Sequence, residues 1–510
     1  MEFLEYSGAV FTPWSMLILV IGTVGGLILG ATPGLSPTMA VALLIPFTFK
    51  MEPAHGLILL GAAYTSSVAG GAISAILLKI PGAPANIATA LDGFAMAQKG
   101  EAAKALQMCF LSSAFGGIIG IFVLIFLTPI LAAWALKFGP SHLFWIAIFG
   151  VTIIATLDSK SVVKGLLSGC LGLWISTIGF DPIQGVERFT FTEHLDGGVH
   201  VIAALIGLFA IPQIVEMLET GRKKKDMTLM KTSHHSIWAS VREVFGKVRA
   251  LFIGSFVGVF IGLIPGAGGQ IAGIVSYDQA RKFSPNRKAF GTGESEGVVA
   301  AESANNAMVG PSLVPLLTLS VPGSPTAAVL LGGLLIHGIF PGPDLFTVHA
   351  DVTWTFINSM LIGQILMLLF GLYIARLAAK IVLIPPPFLA AGILILAVFG
   401  SYSVQHSLSD VFVMFTLGLG AYFLEKFGFT ATPMVLGIIL GPIAEANYIQ
   451  GRIIAQVGDG MVSYFLTGPL NITLYVLCLA SIAYSVFMEI RSGRQTALSG
   501  KTKQRKTRRK

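Results

Sequence analysis

Long apolar stretches separated by short polar connections run through most of this chain. They lie at residues 14–31, 108–133, 143–157, 162–178, 251–264, 356–378, 381–399, 412–427 and 471–487. Residues 311–336 form another apolar stretch, which Pro322 and Pro325 interrupt. An α-helix needs about 20 apolar residues to cross a bilayer. The pattern predicts an all-α polytopic membrane protein with about 12 membrane segments, in a range of roughly 11–14.

Two of these stretches repeat one arrangement of glycine and proline. GTVGGLILGATPG in the first half of the chain matches GSFVGVFIGLIPG in the second, so that Pro33-Gly34 corresponds to Pro265-Gly266. A second pair follows, because ILLKIPGAP carries Pro81-Gly82 and LTLSVPGSP carries Pro322-Gly323. Interrupted apolar segments at corresponding places in two halves indicate the binding site of a transporter.

The charges that flank the two copies predict opposite orientations in the membrane. The first copy follows Glu2 and Glu5, whereas the second follows the basic connection at 221–250. Short basic loops stay in the cytoplasm. We therefore predict inverted repeats at 1–220 and 251–490, with the amino terminus periplasmic and the basic tail at 491–510 cytoplasmic. Labelling both ends from each side of the membrane tests this orientation.

Each Pro-Gly pair is expected to break its helix and free backbone groups. Such groups survive at membrane depth only where protein buries them or a wet cavity surrounds them. Freed amides suit a carboxylate, and freed carbonyls suit a small cation such as Na⁺. The predicted substrate- or ion-binding residues are Pro33, Gly34, Ser36, Thr38, Lys79, Pro81, Gly82, Asn86, Pro265, Gly266, Gln270, Asn305, Asn306, Pro322, Gly323, Ser324 and Thr326.

Two of these features also have a simpler interpretation. Glycine at every fourth position, as in Gly22, Gly26 and Gly30, lets membrane helices pack closely, and packing is the better reading of the stripes. Lys79 lies in an apolar run, where an ionisable residue indicates function by default. Its long side chain also reaches an interface easily, so both readings stay open.

The charge and composition of the chain further narrow the class of protein to which it can belong. Only 11% of the 510 residues are charged, against about 25% in soluble domains. The net charge of +8 comes largely from the basic connection and tail, which we interpret as cytoplasmic anchors near anionic lipid rather than a nucleic-acid site. The three cysteines are far apart and predict neither a disulfide framework nor a metal site. Without an HExxH or Walker A motif, an enzyme is not expected.

Several strings together resemble the large membrane subunit of the tripartite tricarboxylate transporter family. They are GATPGLSPTMAVALLIPFTF, IPGAPANIATALDG, GLIPGAGGQIAGIVSY, AAESANNA and LLTLSVPGSPTAAVLLGGLLIHGIFPGP. The resemblance implies a bacterial inner-membrane importer of citrate or related carboxylates, driven by an ion gradient of Na⁺ or H⁺ without another cofactor. It also implies two partners, a small membrane subunit with about four helices and a periplasmic substrate-binding protein.

The resemblance leaves two alternatives and two departures. One alternative is a stand-alone organic-anion carrier or exporter that needs no binding protein, and the other is a channel. The departures are Pro325, where the family often has alanine, and Lys79, where it often has asparagine; the Lys79 ammonium could pair with a substrate carboxylate or replace a coupling cation. The polar connection at 181–198 is predicted to be periplasmic, either as a docking surface for a partner or as an ordinary solvated loop.

Overall fold

The computed structural model describes residues 5–80, 82–157, 161–181, 185–192, 195, 197–220, 235–381, 384–457 and 460–507. It does not describe the side chains of residues 220, 374–381, 488 and 491–507. Pro81 and residues 221–234, which hold the first part of the predicted basic connection, therefore lie outside the described residues. So do the side chains of the basic tail.

Helices form almost all of the regular structure described. Up to residue 220 they are α1 Ser7–Val10, α2 Pro13–Ala31, α3 Pro37–Thr48, α4 Pro53–Leu78, α5 Ile87–Gln98, α6 Ala102–Ala135, α7 Pro140–Leu157, α8 Val162–Ser176 and α9 Val201–Thr220. After the basic connection come α10 Ile237–Gly246, α11 Val248–Leu263, α12 Gly268–Phe283, α13 Ser295–Ala307, α14 Val309–Leu319 and α15 Pro325–Ile336. The last helices are α16 Ala350–Ile381, α17 Pro386–Gln405, α18 Leu408–Lys426, α19 Ala431–Val457, α20 Met461–Leu466 and α21 Pro469–Thr507.

Two 3₁₀ turns and one small ribbon complete the regular structure described. The turns are Pro84–Asn86, directly before α5, and Pro343–Phe346. The ribbon pairs β1 (Gly179–Phe180) with β2 (Glu187–Arg188) in antiparallel register, with Gly179 opposite Arg188. This ribbon lies in the polar connection between α8 and α9.

The predicted fold class is confirmed, and the helix lengths explain the number of spans. Among the described residues, nine helices are long and apolar enough to cross a membrane, or ten if α10 and α11, bent by 73°, form one broken span. The predicted number of about 12 membrane segments also included apolar segments that are shorter than a full span. Four shorter apolar helices, α3, α7, α8 and α15, supply them. Helices α3 and α15 are short because each begins just after a Pro-Gly break.

The described chain divides into two compact units, and each takes a segment from both halves of the sequence. The first unit comprises Met1–Lys137 and Phe191–Tyr422, and the second comprises Phe138–Thr190 and Phe423–Lys510. All of the predicted site residues belong to the first unit. The division into repeat halves at 1–220 and 251–490 stays a prediction about ancestry and orientation.

Glycine stripes hold the first unit together, as the packing interpretation expects. On α2, a Cβ at Gly26 would lie 2.7 Å from the Ala63 carbonyl oxygen, and one at Gly30 would lie 2.3 Å from that of Ser67. On α11, a Cβ at Gly258 would lie 2.3 Å from the Ala304 carbonyl oxygen. The backbones of α2 and α4, and of α11 and α13, therefore approach to distances that only glycine permits.

Gly30→Ala should lower the apparent melting temperature of the purified protein, whereas Gly25→Ala should leave it nearly unchanged. Both glycines lie on α2, but a Cβ at Gly25 would meet nothing within 4 Å. Overpacking of this kind typically costs about 1–3 kcal/mol, and alanine is otherwise the better helix former. Thermal unfolding of both variants in detergent measures the difference. Equal melting temperatures would contradict the packing role of the stripe.

The second unit has its own close helix crossing and its own surface ion pairs. A Cβ at Gly172 on α8 would lie 2.0 Å from the Met434 carbonyl oxygen on α19, and one at Gly437 would lie 2.5 Å from that of Gly169. In the ribbon, Arg188 forms ion pairs with Glu445 and, at 3.4 Å, with Asp181. Bonding to Glu445 raises the pKa of Arg188. Asp181 is thus already neutralised within the unit, and docking at 181–198 stays a prediction.

Candidate functional site

The first break separates α2 from α3 by a short turn. Helix α2 ends at Ala31, and Gly34 has φ of +86°, in the left-handed region that favours glycine. Ser36 then caps α3, accepting a hydrogen bond from the Met39 amide at 3.3 Å, and Pro37 takes the first helical position. Pro33, Gly34 and Ser36 are half-buried, so the turn is partly open to its surroundings.

The corresponding break in the second half also contains a glycine in the left-handed region, but α12 begins without the serine cap and the proline that begin α3. Helix α11 ends at Leu263, and Gly266 has φ of +80° before α12 begins at Gly268. Pro265 is half-buried and Gly266 is buried. Gln270 lies one turn into α12 with an exposed side chain, so the structure does not bring it into the buried group described below.

The second pair of breaks is built alike in the two halves. The residues that directly follow α4 and α14, Lys79 and Ser320, are both in the left-handed conformation with φ of +59° and +60°. The Gly82 amide then donates to the Gly71 carbonyl at 3.3 Å, and the Gly323 amide donates to the Ser312 carbonyl at 3.0 Å. The chain after each break thus folds back against the helix that precedes it.

Close contact with the glycine-striped helix of their own half, α2 or α11, requires glycine at both positions. A Cβ at Gly82 would lie 2.6 Å from the Gly30 carbonyl oxygen, and a Cβ at Gly323 would lie 2.6 Å from the Gly262 carbonyl oxygen. Pro322, Gly323 and Ser324 are buried, as is Gly82. Each second break is therefore packed directly on the glycine stripe that leads to the first break.

Lys79 is the predicted site residue that the structure separates most clearly from the others. Its side chain is exposed at the end of α4, and its Nζ lies 5.5 Å from the centre of the Phe94 ring. A cation–π contact of this kind holds an ammonium at a surface. The geometry agrees with the interpretation in which the side chain reaches an interface.

Side chains from the two halves meet between the breaks. Thr38 Oγ1, just after the first break of the first half, lies 3.0 Å from Thr326 Oγ1, just after the second break of the second half. Tyr64 on α4 bonds through its hydroxyl to Ser324 Oγ at 2.8 Å and to Ser312 Oγ at 3.1 Å. The Gly266 amide donates to the Gly323 carbonyl at 3.1 Å. These contacts join three of the four predicted breaks. Ala85, just after the fourth, lies beside the Pro265-Gly266 break, since a Cβ at Gly269 would lie 3.2 Å from the Ala85 Cβ.

The two asparagines predicted on α13 carry the clearest sign of a ligand. Asn305 and Asn306 are fully buried, yet neither the amide nitrogen nor the carbonyl oxygen of either side chain has a hydrogen-bond partner. Thr65 Oγ1 on α4 and both polar atoms of Gln364 on α16 are buried and unpartnered too. Buried polar atoms are nearly always paired, so an unpaired set calls for an explanation such as a ligand.

Asn305 lies beside a break rather than in a remote part of the unit, and Asn306 follows it on α13. A Cβ at Gly269, just after the Pro265-Gly266 break, would lie 2.4 Å from Asn305 Oδ1. Amide groups offer both N–H donors for a carboxylate and oxygen acceptors for a cation. The α3 and α15 amino termini add backbone amides at Ser36 and Ser324 that favour an anion.

Asn86 connects the Pro81-Gly82 break to Glu302 and its other hydrogen-bond donors, which were not among the predicted site residues. It is buried, and its Nδ2 donates to the Val68 carbonyl and to Glu302 Oε1, both at 3.3 Å. Thr89 also donates to Glu302 Oε1, and Ser113 donates to Glu302 Oε2 at 2.9 Å. The signal was present as a lone glutamate among small residues in AAESANNA, close to the predicted asparagines.

A second buried carboxylate, Asp92, has a structural role. It accepts hydrogen bonds from the Tyr277 hydroxyl and from the Gly291, Gly293 and Glu294 amides, at 2.7–2.9 Å. Burial and the neighbouring Asp92 raise the pKa of Tyr277. These bonds fix the connection between α12 and α13, so Asp92 anchors that loop and is fully occupied.

The fold and the paired breaks define a polytopic α-helical membrane protein with the kind of site found in secondary transporters. The chain belongs to the tripartite tricarboxylate transporter TctA family, because the sequence model of that family matches residues 16–436. It is therefore a membrane transporter component of a tripartite tricarboxylate transporter, with a role in transport rather than catalysis.

Two curated relatives from Agrobacterium vitis extend this result. "Uncharacterized 52.8 kDa protein in TAR-I ttuC' 3'region" is 34% identical over 485 residues, which cover 95% of each chain. "Uncharacterized protein in TAR-II ttuC' 3'region" is 36% identical over 237 residues, which cover 46% of this chain and 97% of the relative. No solved structure matches the chain.

Proposed function

We propose that this chain is the substrate-translocating subunit of a secondary importer for tricarboxylates or related organic carboxylates. It would lie in the bacterial inner membrane, with a small membrane subunit and a periplasmic substrate-binding protein as partners. The ion gradient that drives it would be one of Na⁺ or H⁺. Membership of the TctA family supports this proposal, since the family name refers to tripartite tricarboxylate transport.

The observation that carries the proposal is the buried set of unpartnered polar atoms beside the breaks. Asn305 and Asn306 offer four such atoms in a fully buried position. Their side chains are uncharged, so they suit a ligand whose charge is shared among neutral groups and helix ends. A carboxylate moving together with a cation fits that chemistry.

Reconstituted vesicles provide the test. A thermal-shift screen of the cognate binding protein against organic acids first identifies the substrate, and uptake is then measured with and without that protein. We expect uptake only when the binding protein, the substrate and an ion gradient are all present. Uptake at full rate without the binding protein would favour a stand-alone carrier, and absence of uptake for every acid bound would contradict the proposal.

Lys79→Asn should increase the dependence of uptake on a sodium gradient. The ammonium supplies a fixed positive charge near the break, and removing it leaves a substrate carboxylate to be balanced by a cation. Because Lys79 is exposed, we expect a change in apparent affinity of at most about fivefold, since exposed charge pairs contribute up to about 1 kcal/mol. Uptake assays with and without sodium measure this dependence.

Lys50→Asn is the matched control, because Lys50 is another exposed lysine of the same unit. It should leave sodium dependence as in the unmodified protein. Complete sodium dependence of the unmodified protein, unchanged by Lys79→Asn, would refute a role for the Lys79 charge in coupling.

A further inference from the structure

Glu302 is a fully buried carboxylate at the point where three segments of the first unit meet. It lies on α13 with 0% of its surface exposed. Oε1 accepts hydrogen bonds from Asn86 in the 3₁₀ turn and from Thr89 on α5, while Oε2 accepts one from Ser113 on α6. The carboxylate therefore joins the break segment to two other helices.

This carboxylate has no opposite charge beside it. In the part of the chain that the structure describes, no lysine, arginine or histidine forms an ion pair with Glu302. An isolated buried charge is costly enough that such groups normally take up a proton or a counter-ion. The surroundings of Glu302 therefore favour a carboxyl group whose charge changes when it binds a proton or a counter-ion.

The other ionisable groups around Glu302 are engaged elsewhere or neutral. The Cys109 thiol on α6 faces Glu302 directly and contacts it. Asp92 on α5 is held by Tyr277 of α12 and by backbone amides. Tyr64 on α4 bonds to Ser312 and Ser324. On α11, Arg249 lies over the Phe283 ring. No described neighbour therefore fixes the charge of Glu302.

The hydrogen-bonding groups favour a proton over a sodium ion as the partner. Asn86 presents an N–H group, and Thr89 and Ser113 present hydroxyl hydrogens, to the two carboxylate oxygens. Hard cations instead require about six oxygen atoms with lone pairs directed at one point. A carboxyl proton needs only one oxygen, and the hydroxyls of Thr89 and Ser113 can turn to accept from it.

Glu302 is placed to transmit its charge state to the site. Asn86 directly follows the break that contains Gly82, and it bonds to both Glu302 and the Val68 carbonyl. Asn305 and Asn306 follow Glu302 by about one helical turn on α13. Adding a proton to Glu302 weakens its acceptance from Asn86 and Thr89, and so loosens the break segment on which the site is built.

We propose that Glu302 is the carboxylate that binds and releases the coupling proton during transport, an inference that rests on the proposed function. The carboxylate takes one proton from the outer side to form the neutral acid, which crosses with the substrate and returns the proton to the cytoplasm. One proton enters per cycle, and no bond other than O–H forms or breaks. An inward proton gradient then drives uptake.

Infrared spectroscopy tests the protonation without any transport. Difference spectra of the purified protein recorded across pH should contain the C=O band of a buried carboxylic acid. The band should be missing in Glu302→Gln and present in Glu296→Gln, a matched control on the same helix whose half-buried side chain lies outside the cluster. A band that Glu302→Gln leaves unchanged, or no such band in the unmodified protein, would overturn the proposal.

Transport assays in vesicles then test the coupling. Glu302→Gln keeps the shape and hydrogen bonds of the neutral acid, so it should still exchange internal for external substrate while losing accumulation driven by a pH gradient by at least about tenfold. Glu296→Gln should retain both activities. Accumulation by Glu302→Gln at the normal level, or loss of exchange together with accumulation at a normal melting temperature, would overturn the proposal.

Two further results separate this proposal from the proposed function. Should Glu302→Gln fold poorly, Glu302→Asp takes its place, and it should retain accumulation with a shifted pH profile; an unshifted profile counts against the proposal. If the unmodified protein exchanges no carboxylate at all, the proposed function fails, and so does coupling. The infrared titration would still show whether Glu302 binds a proton.

Discussion

Replacing Gly323 by alanine should abolish transport and lower the apparent melting temperature of the protein. A Cβ at this position would lie 2.6 Å from the Gly262 carbonyl oxygen, 2.7 Å from the Ser312 Cα and 2.8 Å from the Ser312 carbonyl oxygen. All three are backbone atoms, so no side chain can rotate away. Overpacking of this kind costs about 1–3 kcal/mol, and here the second break would have to move.

The effect on transport should exceed the effect on stability because the breaks are coupled. The Gly323 carbonyl accepts from the Gly266 amide at 3.1 Å, and Ser324 next to it bonds to Tyr64. A shift of Gly323 therefore displaces both breaks of the second half and a contact with the first. Substrate-binding geometry tolerates displacements of only about 0.5 Å.

Gly392→Ala is the control, because a Cβ there would meet nothing within 4 Å. Gly82→Ala should reproduce the Gly323 defect in the other half, since its Cβ would lie 2.6 Å from the Gly30 carbonyl oxygen. Uptake and thermal unfolding are measured for all three variants. Normal uptake by Gly323→Ala would show that transport does not depend on these backbone contacts of the break.

The positions of the breaks could be predicted from sequence because their causes are local. Proline and glycine change the backbone wherever they stand, so Pro33-Gly34 and Pro265-Gly266 mark helix ends in any surroundings. The glycine stripes could be predicted for the same reason, because the missing side chain of glycine is a property of the residue itself. Which breaks meet is a tertiary property: the contact of Thr38 with Thr326 joins segments far apart in the chain, and no spacing within either motif encodes it.

The exposure of particular side chains could not be predicted from the sequence. Gln270 and Lys79 stand next to breaks, but the side of a helix that is buried depends on neighbours that the local sequence does not specify. Glu302 was missed because a lone glutamate among small residues does not by itself indicate burial. Its donors Asn86, Thr89 and Ser113 all come from the first half, so its burial could only be seen once the halves were packed together.

Asn306→Leu should remove transport while leaving the protein at least as stable as before. Asn306 is fully buried and neither of its side-chain polar atoms is paired. An unpaired buried polar group costs about 1–3 kcal/mol, which an apolar residue of similar size does not incur. If these atoms instead bind substrate or ion, their loss should reduce uptake by roughly tenfold or more, since each 1.4 kcal/mol of binding free energy is a factor of ten.

The opposite changes in stability and activity distinguish a ligand site from a structural residue. Asn447→Leu is the matched control, because that half-buried side chain already donates to the Ile443 carbonyl at 2.8 Å. It should cost some stability and little transport. A lower melting temperature for Asn306→Leu with proportionate loss of uptake would assign Asn306 to the fold. Lost uptake at an unchanged or higher melting temperature would instead assign the unpaired atoms of Asn306 to binding substrate or ion.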